Sequence, residues 1–145
     1  YYKNVNMHFT SYRNRMVAIL NEESSLMEIV KLIGSDVLPD DQKLTLEIAR
    51  VIRVGFLQQN AFHPEDTCVP LQKQYLMMKT ILYLHERCKT LIAAQIPVSI
   101  LKQNDIFEKV CNMKFEIKNN ELEKFDEYIK AIDLFHAKVL KEQGK

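Results

Sequence analysis

Four long stretches of this chain carry apolar residues at a three-four spacing, the period of a helix with one buried face. Phe9, Tyr12, Met16, Ile19, Leu26, Val30 and Ile33 mark the first, with Glu23 standing in one slot of the stripe. The spacing predicts an amphipathic helix from about Asn6 to Ile33. Its polar interruption, Asn21 to Ser25, is a place where it could bend or restart. Gly34 is expected to stop it, because glycine tolerates the positive φ of a helix cap.

A short turn, Gly34 to Asp41, leads to a second helix from about Pro39 to Gln58. Pro39 suits the first helical turn, and Asp40 and Asp41 lie where the helix dipole favours anions. Leu44, Ile48, Val51, Ile52 and Gly55 form its stripe, with Phe56 at the edge. Leu46 and Leu57 lie on the opposite side beside Arg50 and Arg53, a second apolar spot expected to touch something beyond its own core. Asn60 to Val69 reads as a loop punctuated by Pro64 and Pro70, with Asp66-Thr67 able to cap the next helix. That third helix runs from about Leu71 to Gln95, its stripe Leu71, Tyr75, Met78, Leu82, His85, Cys88 and Ile92, and Pro97 is expected to end it. Short helical turns are expected at Val98–Gln103 and Asp105–Met113, and Phe115–Lys118 as extended chain. The last helix, about Asn120 to Leu140, carries Leu122, Phe125, Ile129, Ile132, Phe135 and Val139 on one face.

Three glycines and four prolines among 145 residues leave too few turn-formers for a sandwich or barrel. No internal repeat or second boundary interrupts the pattern. The expectation is one all-α domain over residues 1–145, a bundle of four longer helices with one or two short ones.

Several kinds of chemistry are excluded. Neither G-x-x-x-x-G-K-[ST] nor G-x-G-x-x-G occurs, so no glycine-rich phosphate loop is present. A balance of 20 basic and 19 acidic residues gives no footprint for nucleic acid or an anionic membrane surface. No apolar run approaches the ~18 residues that span a bilayer, and Lys3, Asn4, Asn6 and His8 interrupt any signal-peptide pattern. Cys68, Cys88 and Cys111, odd in number and widely spaced, read as reduced thiols in a cytoplasmic protein. His8, His63, His85 and His136 are scattered, and His85-Glu86 lacks the second histidine of an H-E-x-x-H zinc site. His85, on a core stripe, is expected to be packed with a hydrogen-bond partner. No catalytic residue and no metal ligand is expected within these residues. The start at Tyr1 suggests a fragment or a processed form.

The informative stretch is Gly55-Phe-Leu-Gln-Gln-Asn-Ala-Phe-His63, where two phenylalanines flank three amides at a helix end. A bend there could bring Phe56 and Phe62 together, and two ring faces in a cleft can grip a flat heterocycle. The alternative is that both rings simply fill the core.

Phe56-Leu-Gln-Gln-Asn-Ala-Phe62 resembles the C-terminal region of the catalytic A subunit, or alpha chain, of V-type and archaeal A-type ATP synthases. Asp41-Gln-Lys-Leu-Thr-Leu-Glu-Ile-Ala-Arg50 before it is similar to that family, as are Asp66-Thr67, Lys73-Gln74-Tyr75 and Met113-Lys114-Phe115 after it. Glu65, and the lack of a tyrosine before Cys68, depart from the family pattern. The resemblance covers essentially the whole chain. It implies a helical C-terminal domain of a larger subunit, with the P-loop, magnesium ligands and catalytic glutamate upstream. The implied parent is an ion-translocating rotary ATP hydrolase or synthase. It would bind ATP or ADP with magnesium, alternate with B subunits in a hexamer and surround a central-stalk rotor subunit. The fragment itself would be inactive and bind no cofactor. The complex would lie in the cytoplasm as a peripheral membrane sector, without direct membrane insertion and without nucleic acid.

By motif position the resemblance makes Phe56 and Phe62 candidates for the adenine pocket. It makes the turn Ser35 to Asp41, with Leu38, Pro39, Asp40 and Asp41, the candidate contact with the rotor, its polar or terminal residues serving coupling and not stability. The competing expectation is a stand-alone all-α interaction module that docks through the back of the second helix.

Overall fold

The computed structural model of the chain describes residues 2–58, 71–118 and 121–144. Among the described residues four longer helices make the bundle: α1 (Tyr2–Ile33), α2 (Asp40–Ile52), α3 (Leu71–Ala93) and α7 (Phe125–Glu142). Between α3 and α7 lie three short ones, α4 (Val98–Leu101), α5 (Ile106–Cys111) and α6 (Met113–Glu116). The described residues contain no strand. The all-α bundle read from periodicity is the fold that forms.

α1 and α2 pack as an antiparallel hairpin, and α3 lies against both. α7 covers the other side of α3, which is why α3 is buried on more than its expected stripe. Met77, Ile81, Leu84 and Leu91 are as buried as Met78, Leu82 and Cys88. α4 and α5 cross α2, so α2 is enclosed on several sides. Its stripe residues Leu44, Ile48, Val51 and Ile52 are buried, and so is Ala49. Burial of each such aliphatic side chain contributes about 1.5–3 kcal/mol, which drives the helices together.

Local sequence explains most boundaries, and packing alters some. α1 does not break at Asn21–Ser25. Ser25 Oγ donates back to the Asn21 carbonyl at 3.5 Å, and Glu23 is taken up by Arg53 of the next helix, Nη2 to Oε2 at 2.6 Å. That ion pair accounts for a carboxylate in an apolar stripe. α1 ends at Gly34, whose φ of 88° and ψ of 163° lie in a region that is essentially glycine-only. α2 starts one residue later than expected, with Pro39 as its extended N-cap. Its expected continuation to Gln58 widens into a π-helical stretch, Arg53–Gln58. Gly55 permits this passage: a Cβ there would stand 3.1 Å from the Cys111 Cα at the end of α5.

α3 is stopped two residues before Pro97. Gln95 takes φ 69°, its N–H bonds to the Ile92 carbonyl, and the Ile96 N–H reaches back to the Leu91 carbonyl at 3.1 Å. This is a Schellman closure with glutamine where glycine is usual. The expected extended run 115–118 is corrected at its start: Met113–Glu116 is helical, and Ile117, which caps it, is extended. Burial of Met113 and Ile117, and donation by the buried Lys73 ammonium to the Ile117 carbonyl at 2.6 Å, outweigh local strand preference.

Candidate functional site

The turn between α1 and α2 stands out because its apolar residues face two ways. A short 3₁₀ turn, Ser35–Val37, follows Gly34. Leu38 then points inward and is only 6% exposed, so the expectation that this turn serves coupling and not stability is corrected at that residue. Outward lie Leu32 at 84% exposure, Ile33 at 63% and Val37 at 57%. Pro39 and Asp41 are exposed, whereas Asp40 is half-buried. The Pro39 carbonyl accepts the N–H groups of Gln42 and Lys43, and the Asp41 carbonyl accepts the Thr45 hydroxyl at 3.1 Å.

The two aspartates therefore differ. Asp40 turns its carboxylate onto the N–H of Val98 at 3.3 Å, across to the start of α4. Asp41 stays at the surface and lines a cleft of about 740 Å³ between α1, α2 and α3.

His85 lines that same cleft, with Arg15, Glu22, Glu86 and Lys89 also bordering it. The ring is packed as expected, at 7% exposure. The expected partner is not found for one nitrogen: Nδ1 is buried with no hydrogen bond among the described residues. Burial lowers its pKa to about 4, aided by the positive charges of Lys89 and Arg15 and opposed by Glu86. A neutral imidazole is what this environment holds at pH 7.

Of the two candidate rings, Phe56 is half-buried in the π-helical stretch and lines a cavity of about 340 Å³. Phe9, Leu20 and Met78 form its walls, and Arg13 and Gln74 also border it. Phe62 lies outside the described residues, as do Asn60–Val69 and Cys68, so the expected approach of the two rings does too. Leu46, on the expected back face of α2, is half-buried and lines a groove with Met27 and Val98.

Besides Lys73, a second charged side chain is buried without any sequence expectation for it. Glu47 is buried beside Arg50, which donates to its Oε1 from Nε at 3.0 Å and Nη2 at 2.6 Å. Lys102 approaches the other oxygen at 3.8 Å, and Arg50 also reaches Glu108 at 2.8 Å. The Glu47 hydrogen bond holds the Arg50 guanidinium well above its usual range. The only available signal was the i, i+3 pairing of Glu47 with Arg50, which a solvated helix face shows equally often. Cys88 and Cys111 are buried thiols, pushed by burial up to about 12 and about 11, so neither is a nucleophile at neutral pH. Among the described residues no group of three or more His, Cys, Asp or Glu side chains is placed to hold a metal.

Comparison with known proteins bears on which of these features matter. Residues 1–100 match the family described as the C-terminal domain of V and A type ATP synthase. The chain belongs to this family. It is 44% identical over 137 residues to the V-type ATP synthase alpha chain of Halothermothrix orenii, covering 94% of this chain and 23% of that protein. The V-type ATP synthase alpha chain 2 of Clostridium tetani is 41% identical over all of this chain and 24% of its own length. The A subunit of the A-type ATP synthase of Methanopyrus kandleri is 42% identical over 130 residues, covering 90% of this chain and 22% of its own. The chain thus spans about a quarter of the curated relatives it matches. As a V/A-type ATP synthase C-terminal domain it contains no described helix long and apolar enough to cross a membrane.

Proposed function

We propose that this domain works within the alpha chain, or A subunit, of a rotary V/A-type ATP synthase. There it completes the adenine pocket through Phe62, supported by Phe56, and transmits motion between the nucleotide site and the central stalk. The observation that carries the reading is the family match over residues 1–100, which takes in the turn, α2 and both phenylalanines. The parent would use ATP or ADP with magnesium, alternate with B subunits, and couple nucleotide turnover to ion transport as a peripheral sector at the cytoplasmic side of the membrane. On this reading the magnesium and phosphate contacts belong to the rest of the parent subunit, and the domain alone is expected to turn over no ATP.

The exposed side of the turn supports the stalk half of the reading. Leu32, Ile33 and Val37 are large apolar side chains left in solvent at the end of the α1–α2 hairpin. Such side chains gathered at one place suit a contact with another polypeptide. Pro39 and Asp41 are also exposed, whereas Leu38 supports the turn from beneath and Asp40 is turned to α4.

An aromatic face offers adenine dispersion and stacking without a charge to desolvate. Phe62→Ala in the full-length subunit, assembled with its B partner, should weaken nucleotide binding by roughly ten- to a hundredfold, the range for losing one stacked ring. Phe62→Tyr should retain most affinity. Unchanged affinity in Phe62→Ala would return that ring to a packing role.

A further inference from the structure

α2 reaches α4 and α5 through polar side chains spaced along its length. Asp40, its first residue, accepts the N–H of Val98 at 3.3 Å. That N–H opens α4, whose N-cap is Pro97 and which therefore has no side-chain cap of its own. Asp40 supplies the missing acceptor from another helix. Two turns on, buried Glu47 faces Lys102 at 3.8 Å, the residue that closes α4. Arg50, held by Glu47, then reaches Glu108 of α5 at 2.8 Å. Over about 15 Å of helix, α2 thus holds α4 at both ends and α5 at one.

We propose that Asp40, Glu47 and Arg50 form a tether that carries displacement of the turn into α4 and α5. Asp40 then acts inward, as a positioning residue, and not outward as a charge meeting the stalk. The inference rests on the stalk reading of the turn and deepens it. Asp40 directly follows the turn, so any movement of the turn along or across α2 is felt first at the Val98 bond. Glu47 is the pivot of the second tie, because its two oxygens serve Arg50 and Lys102 separately. With the bonds in place the turn and the short helices move together. With them broken, the turn yields by itself and its displacement is lost.

The two roles of Asp40 require different chemistry. A hydrogen-bond acceptor survives replacement by asparagine, whose side-chain oxygen occupies the same place. A charge does not. In the complex assembled from full-length subunits, ions transported per ATP hydrolysed are measured for Asp40→Ala, Asp40→Asn and Val37→Asp. Hydrogen exchange of the 96–101 segment is followed alongside. Asp40→Ala should lower the transport ratio, and the Val98 N–H should exchange roughly fivefold faster, the factor for one ordinary hydrogen bond. Asp40→Asn should restore both. Equal damage from asparagine and alanine would overturn the tether in favour of an outward charge. If only Val37→Asp lowered the ratio, the stalk reading would stand and the tether would fall. If none of the three changed it, the stalk reading would fail and this inference with it. Should Asp40→Ala not assemble, Glu108→Ala removes the Arg50 tie at an exposed carboxylate. A lowered ratio is then expected, and an unchanged one overturns the tether.

Discussion

Lowering the pH from about 7 to about 4 should cost the folded chain about 3 kcal/mol through His85 alone. The ring is 7% exposed and has a buried nitrogen without a partner among the described residues. Its pKa falls from 6.5 to about 4, chiefly through desolvation. In the unfolded chain the imidazole takes up its proton as the pH drops through 6.5, while the folded ring refuses it until about 4. The unfolded state therefore binds more protons in that window, and stability falls as pH falls. Above the window both states are neutral and the effect is absent. The size follows from about 1.36 kcal/mol for each pH unit between the two values. The charged groups bordering this cleft are Arg15 and Glu22 from α1, Asp41 from α2, and Glu86 and Lys89 from α3. They remain when the ring is removed, as does His136, also lowered by burial, so a comparison cancels them. Urea unfolding of the chain and of His85→Leu, followed by far-ultraviolet circular dichroism across this range, reads the difference. The parent chain should lose about 3 kcal/mol more than the variant. Stability curves that run parallel over the whole range would refute a buried neutral histidine.

Four further substitutions probe the packing directly. Gln95→Gly should raise the midpoint of thermal unfolding, because φ 69° costs a residue with a side chain about 1 kcal/mol that glycine does not incur; a lower midpoint would show that the glutamine side chain outweighs that strain. Gly55→Ala should destabilise by about 1–3 kcal/mol in denaturant unfolding, since the new methyl meets the Cys111 backbone at 3.1 Å. A neutral result would mean that α5 shifts freely against the π-helical stretch. Leu38→Ala should cost about 2–3 kcal/mol through the cavity it leaves, whereas Val37→Ala on the exposed side should change stability by less than about 0.5 kcal/mol. Equal effects would contradict the inward and outward division of the turn.

Much of the fold was legible in residue order because a helix is a local object. The three-four stripes of α1, α2, α3 and α7 named Met16, Leu44, Ile48, Met78, Leu82, Ile132 and Val139, all of which are buried. Gly34 marked the end of α1 because only its own backbone freedom matters there. What residue order could not supply was the identity of each neighbour. Glu23 reads as a flaw in an apolar stripe until Arg53 arrives from another helix. Gln95 carries no glycine signal, yet takes the left-handed cap because Ile96 is buried beyond it and its N–H closes on Leu91.

The candidate site divides along the same line. Family resemblance directed attention to the turn and to Phe56 by motif position alone, without reference to neighbours. Adjacent letters in the sequence, Asp40 and Asp41, carry no sign that one faces Val98 and the other a surface cleft. That difference arises because successive residues on a helix point about 100° apart, and only the placement of α4 against α2 decides which direction meets a partner. The same holds for Leu38 beneath the turn and Val37 above it, and for Glu47, whose burial depends on two helices more than fifty residues away in the chain. The sequence by itself determined where the four long helices run and which stripe of each is apolar, because those depend on period and backbone freedom. The tertiary structure decided which polar groups are tied, which charge is suppressed and which apolar residues remain in solvent, because those depend on what the fold brings alongside.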